Sequence, residues 1–197
     1  MKISNNKITR ILSAVILTTG LFAADSEGIT GTITTLSGDA SLQNIVLQKG
    51  WNLLGINANL TLTELKNQLG DNNLLVISKD EPLYRIDDPD SAGNFTQTHE
   101  KEGYWIKIAH ESELKYTPKN YTDKTIPLHA GWNLINPLSE LTLLQIQNQL
   151  GNQNIEVIQG AGKIYKKKNP DFLNDFTMFE EPYGYWIKIT EDRELHF

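Results

Sequence analysis

Hydrophobic and polar positions alternate in short runs along most of the chain, and one stretch with helical spacing interrupts each series of runs. In the first series this stretch follows Thr61, where Glu64 completes a capping box, and it ends at Gly70. Leu65 and Leu69 lie on one apolar stripe of the predicted helix. The same signals recur 81 residues later. The pattern therefore predicts two helices, each ended by a glycine in the left-handed conformation.

Short runs rich in Val, Ile, Leu and aromatic residues, bounded by Gly, Asn, Asp and Pro, predict strands around each helix. In the first series the predicted strands cover residues 45–47, 50–56, 74–78, 83–86, 95–98, 104–108 and 114–116. Short connections favour antiparallel neighbours. The expected fold class is α+β, with two tandem homologous modules that each form a small antiparallel β-sheet with one α-helix on a face.

An internal repeat organises the whole chain. Residues 47–116 align without a gap to residues 128–197, at a constant offset of 81, with 29 identities in 70 positions. Each copy opens with Gly-Trp-Asn-Leu and closes with Gly-Tyr-Trp-Ile-Lys-Ile. The predicted segments are a signal peptide (1–24), a strand-like N-terminal extension (25–42), module 1 (43–116), a linker (117–125) and module 2 (126–197).

The N-terminus has the composition of a secretory signal. Three basic residues precede an apolar run over residues 11–22, which is too short to span a bilayer comfortably, and the small residues Ala23 and Ala24 follow it. We expect cleavage here, with an uncleaved anchor as the alternative. The expected location is secreted, periplasmic or cell surface, with no transmembrane span in the mature chain.

Charge and cysteine content narrow the classes of partner. The chain has 18 basic and 24 acidic residues; without residues 1–24 it has 18 − 3 = 15 basic residues, and 15 − 24 gives a net charge of −9. Such a surface repels phosphate backbones, so nucleic acid is not an expected partner. The chain has no cysteine, which excludes disulfides and thiolate chemistry.

The two copies can be compared with each other, because a residue that the fold requires should occur twice. The repeated residues are mostly of types that pack or form turns, and we expect Trp51 and Trp132 in the core. The predicted structural residues are Gly50, Trp51, Asn52, Gly103, Tyr104, Gly131, Trp132, Asn133, Gly184 and Tyr185. No nucleophile–base pair is repeated, so we expect no enzyme and no cofactor; a site formed between the modules is the alternative.

Histidines and acidic residues offer weak metal candidates. Every histidine aligns with another residue type in the other copy, which favours surface imidazoles; they are His99, His110, His129 and His196. Asp88, Asp90 and Asn94 resemble half of a calcium loop, but Ala92 occupies a ligand position. A solvated turn is the alternative interpretation, and no metal is predicted.

Aromatic residues next to lysines are the candidate binding residues. Strand alternation places Trp105 and Lys107 on the face opposite Tyr104, and Trp186 with Lys188 repeats this arrangement. A tryptophan on a partly open face can stack against a sugar ring or a side chain of a partner. The structural alternative is a tryptophan covered by the neighbouring module, with Lys107 lying across it.

The pairing of Gly-Trp-Asn-Leu with Gly-Tyr-Trp-Ile-Lys resembles a repeat found in secreted and cell-surface proteins of Gram-negative bacteria. The resemblance covers residues 47–116 and 128–197. It implies a non-catalytic accessory module and adds no catalytic residue. The leading hypothesis is a binding or adhesion protein for extracellular glycan or protein. The alternative is a structural subunit that assembles with itself through the Thr-rich segment 28–36, by strand addition.

Overall fold

The computed structural model describes residues 42–79, 82–87 and 94–197. The predicted signal peptide and nearly all of the extension, with its segment 28–36, lie outside these residues. In the N-terminal half the elements are β1 Gln43–Leu47, β2 Gly50–Gly55, α1 Leu62–Leu69, β3 Leu74–Ser78, β4 Pro82–Arg85, β5 Gly103–Ile108 and β6 Ser112–Tyr116. In the C-terminal half they are β7 Thr125–Leu128, β8 Gly131–Ile135, α2 Leu143–Leu150, β9 Ile155–Gly160, β10 Lys163–Lys166, a 3-10 turn Asp171–Leu173, β11 Tyr185–Ile189 and β12 Arg193–His196.

All strand pairings between these elements are antiparallel, so the fold is α+β with four sheets and two helices. Each half has a four-stranded sheet, in the order β2-β5-β3-β4 or β8-β11-β9-β10. Each half also has a two-stranded sheet, β1-β6 or β7-β12. The expectation of a single small sheet per module is therefore wrong.

The second sheet arises because a two-stranded ribbon bends. Residues 43–55 run antiparallel to residues 103–116, but the ladder breaks between Leu47 and Gly50. Gly50 has φ +102°, a conformation that favours glycine. Asn52 replaces the lost ladder bonds, since its Oδ1 accepts from Gln48 N at 2.9 Å and its Nδ2 donates to Gln48 O at 2.9 Å. Asn133 makes the same bonds in the C-terminal half.

The helices begin where the sequence predicts. Thr61 Oγ1 accepts from Glu64 N at 3.2 Å, and the Glu64 carboxylate accepts from Thr61 N at 2.8 Å; Thr142 and Gln145 repeat both bonds. Gly70 ends the first helix with φ +96° and ψ +134°. The positive φ is confirmed, but the ψ lies outside the left-handed helical region that was expected.

The predicted strand at residues 95–98 is not formed. Its backbone bonds go to different elements: Phe95 N donates to Leu83 O, whereas Thr98 N donates to Leu60 O. The buried Thr98 side chain joins the loop before α1, because it donates to Ala58 O at 2.6 Å and accepts from Leu60 N at 2.8 Å. The segment crosses from the sheet edge to the helix, so it cannot run along one neighbour as a strand.

Each half has its own hydrophobic core. In the N-terminal half Leu65 and Leu69 of α1 are buried together with Tyr104, and in the C-terminal half Ile146 and Leu150 of α2 are buried together with Tyr185. The helices contact mainly the two-stranded sheets through β6 and β12. The inner face of each four-stranded sheet also contributes residues to the core, such as Tyr104 and Tyr185, and its outer face points away from the core.

Candidate functional site

The outer face of each four-stranded sheet carries aromatic and basic side chains. Along β5, Tyr104 is buried with Ile106 and Ile108 on the inner face, whereas Trp105 and Lys107 are only partly buried. This confirms the predicted alternation, and β11 repeats it with Trp186 and Lys188. We call Trp51, Trp105 and Lys107 the N-terminal aromatic face, and Trp132, Trp186 and Lys188 the C-terminal aromatic face.

The expectation that Trp51 and Trp132 lie in the core is wrong. Trp132 is 53% exposed, and Trp51 is partly exposed. Trp51 pairs directly with Lys107 on the neighbouring strand, so both side chains point to the outer face. Asn52, which follows it, is the residue that points inward, with 1% of its surface exposed. Leu53 and Leu54 follow Asn52, so the sequence shows a continuous apolar run in which this alternation is not visible.

The two tryptophans of each face form a pair. The ring centroids of Trp51 and Trp105 are 6.2 Å apart with an interplanar angle of 88°, and those of Trp132 and Trp186 are 5.9 Å apart at 88°. Such edge-to-face contacts add about 0.5–1.5 kcal/mol beyond burial. The two faces therefore have the same aromatic geometry, which fixes the orientation of each indole.

The lysines lie over the tryptophans of β2 and β8. Lys107 Nζ is 5.3 Å from the Trp51 ring centroid, and Lys188 Nζ is 5.9 Å from that of Trp132. This differs from the structural alternative above, in which Lys107 lies across Trp105. A cation over an indole ring gives an attraction of about 0.5–1 kcal/mol at an exposed site.

An open groove of about 510 Å³ adjoins the N-terminal aromatic face. It is lined by Trp51, Leu75, Val76, Ser78, Arg85, Ile86, Asp87 and Lys107. These residues come from all four strands of the sheet and from the turn after β4. Sequence reasoning missed Arg85 and Val76, because strand order decides which residues stand beside Lys107.

The faces differ at one charged position. Lys188 Nζ is 2.8 Å from Glu156 Oε2, and this hydrogen bond and charge lower the pKa of Glu156. The aligned residue in the N-terminal half is Leu75. Among the residues that the structure describes, Lys107 has no carboxylate within salt-bridge distance. Within the described residues, Lys107 therefore differs from Lys188, which forms a salt bridge to Glu156.

The other repeated residues have structural roles. Gly131 has φ +103°, like Gly50. The Tyr104 hydroxyl accepts from His99 N at 3.0 Å and donates to Glu102 at 2.8 Å. The Tyr185 hydroxyl accepts from Glu180 N at 2.9 Å. Burial raises the pKa of both tyrosines, which keeps them neutral.

Gly103 and Gly184 lie where the two halves meet. A Cβ at Gly103 would lie 2.9 Å from Leu134 Cδ1, and a Cβ at Gly184 would lie 2.9 Å from Leu54 O. Leu134 is buried although it belongs to neither core, and the same is true of Leu53. These leucines are covered by the opposite half, so the glycines allow a close approach that sequence reasoning did not predict.

The structure describes only some of the metal candidates. All four histidines are exposed, as predicted. Asn94 is exposed, whereas Asp88 and Asp90 lie outside the described residues. In residues 42–79, 82–87 and 94–197, no group of three or more His, Asp or Glu side chains could hold a metal ion.

Comparison with protein-family models, with curated proteins and with solved structures finds no match to the chain. Of the helices that the structure describes, neither is long and apolar enough to cross a membrane.

Proposed function

We propose that the chain is a secreted or surface-displayed, non-catalytic binding protein that recognises an extracellular glycan through its two aromatic faces. A protein ligand is the other outcome that the experiment below would distinguish. The observation that carries this proposal is the same tryptophan pair with an overlying lysine on the outer sheet face of both halves.

The exposure of these tryptophans supports binding over packing. A fully buried tryptophan stabilises the fold by removing its whole apolar surface from water. Trp132 instead leaves half of its surface in contact with water. Partly exposed tryptophans held in a fixed orientation lose little conformational entropy when a ligand covers them, and Trp is enriched among residues that dominate binding energy. A sugar ring or an extended side chain has a suitable flat surface.

We also propose that the two halves are homologous modules that arose by duplication. The 29 identities in 70 aligned positions, the same order of corresponding strands and the repeated capping boxes support this view. The resemblance to repeats of secreted bacterial proteins and the signal-like N-terminus support an extracellular location.

The test is binding of the native chain to an array of extracellular polysaccharides and matrix proteins. We expect Trp51→Ala and Trp132→Ala to reduce binding at least tenfold, while each lowers the free energy of unfolding by about 1–3 kcal/mol through its lost ring and lysine contacts. Phe172→Ala is the matched control, since Phe172 is 84% exposed but lies outside both faces. Undiminished binding of both tryptophan variants, or native protein that binds nothing, would reject the proposal.

A further inference from the structure

Two residues of each aromatic face belong to a row of four paired residues that crosses the whole sheet. In the N-terminal half, Trp51 pairs with Lys107, Lys107 with Val76, and Val76 with Arg85. In the C-terminal half the corresponding row is Trp132, Lys188, Val157 and Lys166. Directly paired residues point to the same side of a sheet. Both rows therefore read aromatic, cation, apolar and cation from one edge of the sheet to the other.

We infer that these rows bind a polymeric glycan that carries carboxylates, such as a polyuronate. The inference rests on the proposed function and names the substrate class of the same two faces. An indole at one end offers a stacking surface, and the two cations that follow can pair with acidic groups of the bound sugar chain.

The spacing of the cations favours a polymer over a single acidic sugar. Lys107 and Arg85 stand on β5 and β4, with β3 between them, so their backbones are about 10 Å apart. The same spacing separates Lys188 from Lys166 in the other half. A chain with carboxylates on successive sugars can meet both cations of a row at once. Two rows in one protein add avidity for a long ligand.

The charge around the rows contrasts with that of the rest of the chain. The N-terminal groove has two cations and one carboxylate in its lining, whereas the whole chain has a net charge of −6. In the C-terminal half, Lys166 stands in the row, and the positive charges of Lys188, Lys168 and Lys167 all act on Glu156 and lower its pKa. Local positive charge on an acidic protein attracts an anionic ligand to these faces and repels it elsewhere.

An acidic glycan fits this distribution better than a nucleic acid. Single strands also stack on aromatic residues beside basic grooves, but they carry a charge on every nucleotide and follow continuous positive channels. Here an apolar valine separates the cations of each row, and the chain as a whole has a net charge of −6. Binding of single-stranded DNA is an explicit outcome of the test.

The experiment compares oligogalacturonates and oligoalginates with the same oligomers after reduction of their carboxyl groups, by calorimetry on the full chain. We expect the acidic forms to bind at least tenfold more tightly, and we expect this advantage to shrink as salt rises from 50 to 500 mM, conditions chosen to screen charges. The double variant Arg85→Gln/Lys166→Gln should remove most of the advantage. Lys115→Gln should preserve it, because Lys115 is exposed on β6, in the two-stranded sheet, and belongs to neither row.

Exchange of the residue that distinguishes the two faces supplies a second test. Leu75→Glu copies the partner of Lys188 into the N-terminal half and should weaken acidic binding there; Glu156→Leu should strengthen it in the C-terminal half. Equal binding of acidic and reduced oligomers would overturn the inference and leave the proposed function intact. Absence of binding to both acidic oligomers, or equally tight binding of a 20-nucleotide oligothymidine, would also overturn it.

Discussion

Asn52 shows how one side chain can determine the path of the backbone. It is buried, and its amide satisfies both polar groups of Gln48 at the point where β1 leaves the direction of β2. The repetition of this asparagine predicted a structural role but not the bend, since an Asn in an apolar run gives no sign of which backbone groups it binds. Because successive side chains of a strand point to opposite faces, the inward direction of Asn52 places Trp51 on the outer face.

Replacement of Asn52 by leucine tests this role. The substitution keeps the volume but leaves Gln48 N and O without their partner, so we expect a loss of about 1–3 kcal/mol in the free energy of unfolding. Urea denaturation provides the measurement. Asn67→Ala is the control, because Asn67 is also repeated in the other half but is exposed on α1. Equal effects of the two substitutions would contradict the proposed role of Asn52.

Two glutamates should affect the pH dependence of stability in opposite directions. Burial raises the pKa of Glu181 above its ordinary value of 4.5, and the hydrogen bond from Gln43 does not offset this effect. A raised pKa in the folded state means that stability is greatest below pH 4.5 and is lost as the pH rises through the folded-state pKa. Glu181→Gln should therefore stabilise the protein at pH 7 and make no difference at pH 3.

Glu102 provides the opposite case. Burial alone would raise its pKa, but hydrogen bonds from Lys79 and Tyr104 outweigh burial and lower it. Its contribution to stability is present above pH 4.5 and is lost as the pH falls through the lowered pKa. Glu102→Gln should destabilise the protein at pH 7, with a smaller effect at pH 3. Urea midpoints between pH 3 and pH 7 measure both variants, and the same sign for both at pH 7 would refute the assignment.

At the scale of elements, local signals predicted the helices better than the sheets. The capping boxes at Thr61 and Thr142 gave the first residue of each helix, because every group involved lies within four residues. The division into four-stranded and two-stranded sheets depends on pairings between residues up to 73 positions apart, such as Gln43 with Tyr116. The outer-face row that carries the proposed ligand site depends on the same distant pairings.

The N-caps Thr61 and Thr142 should contribute to the stability of the two helices. Thr61→Ala removes the acceptor for Glu64 N, and we expect a loss of about 0.5–2 kcal/mol, with a similar loss for Thr142→Ala. Thr63 lies two residues after Thr61 on the exposed side of α1. Thr63→Ala should therefore change the free energy of unfolding little. Thermal unfolding followed by circular dichroism gives the comparison. A Thr63 variant as unstable as the Thr61 variant would show that the caps contribute nothing specific.

At the scale of the whole molecule, the two halves meet around a local twofold arrangement. Leu54 bridges to Tyr183, and the residues 81 positions away, Ile135 and Glu102, bridge to each other. Two further bonds follow the same relation: Gly55 N donates to Pro182 O at 2.7 Å, and Asn136 N donates to Lys101 O at 3.2 Å. The sequence predicted two similar bodies but not this contact, because residues that meet across an interface leave no local pattern.

The junction departs from symmetry where Gly55 faces Asn136. A Cβ at Gly55 would lie 2.0 Å from Asn136 Oδ1, and Asn136 is buried with its Nδ2 donating to Glu100 O at 2.6 Å. Gly55→Ala should therefore cost about 1–3 kcal/mol through overpacking. Asn136→Gly should also destabilise, because it removes a buried hydrogen bond. The double variant relieves the overlap, so its loss should be smaller than the sum of the single losses by about 1 kcal/mol or more.

Urea denaturation of the native protein, the two single variants and the double variant completes this double-mutant cycle. Gly55 lacks a positive φ, so alanine is acceptable to its backbone, and a loss would come from close contacts with Asn136 and, at 3.0 Å, with Tyr183 O. Strictly additive losses would mean that the two positions do not communicate and that the halves are held by other contacts. Losses that are not additive would show that the Asn136 side chain of one half packs into the space left by Gly55 of the other half. The orientation of the two aromatic faces would then be fixed by the junction, which is the geometry that avidity for a polymer requires.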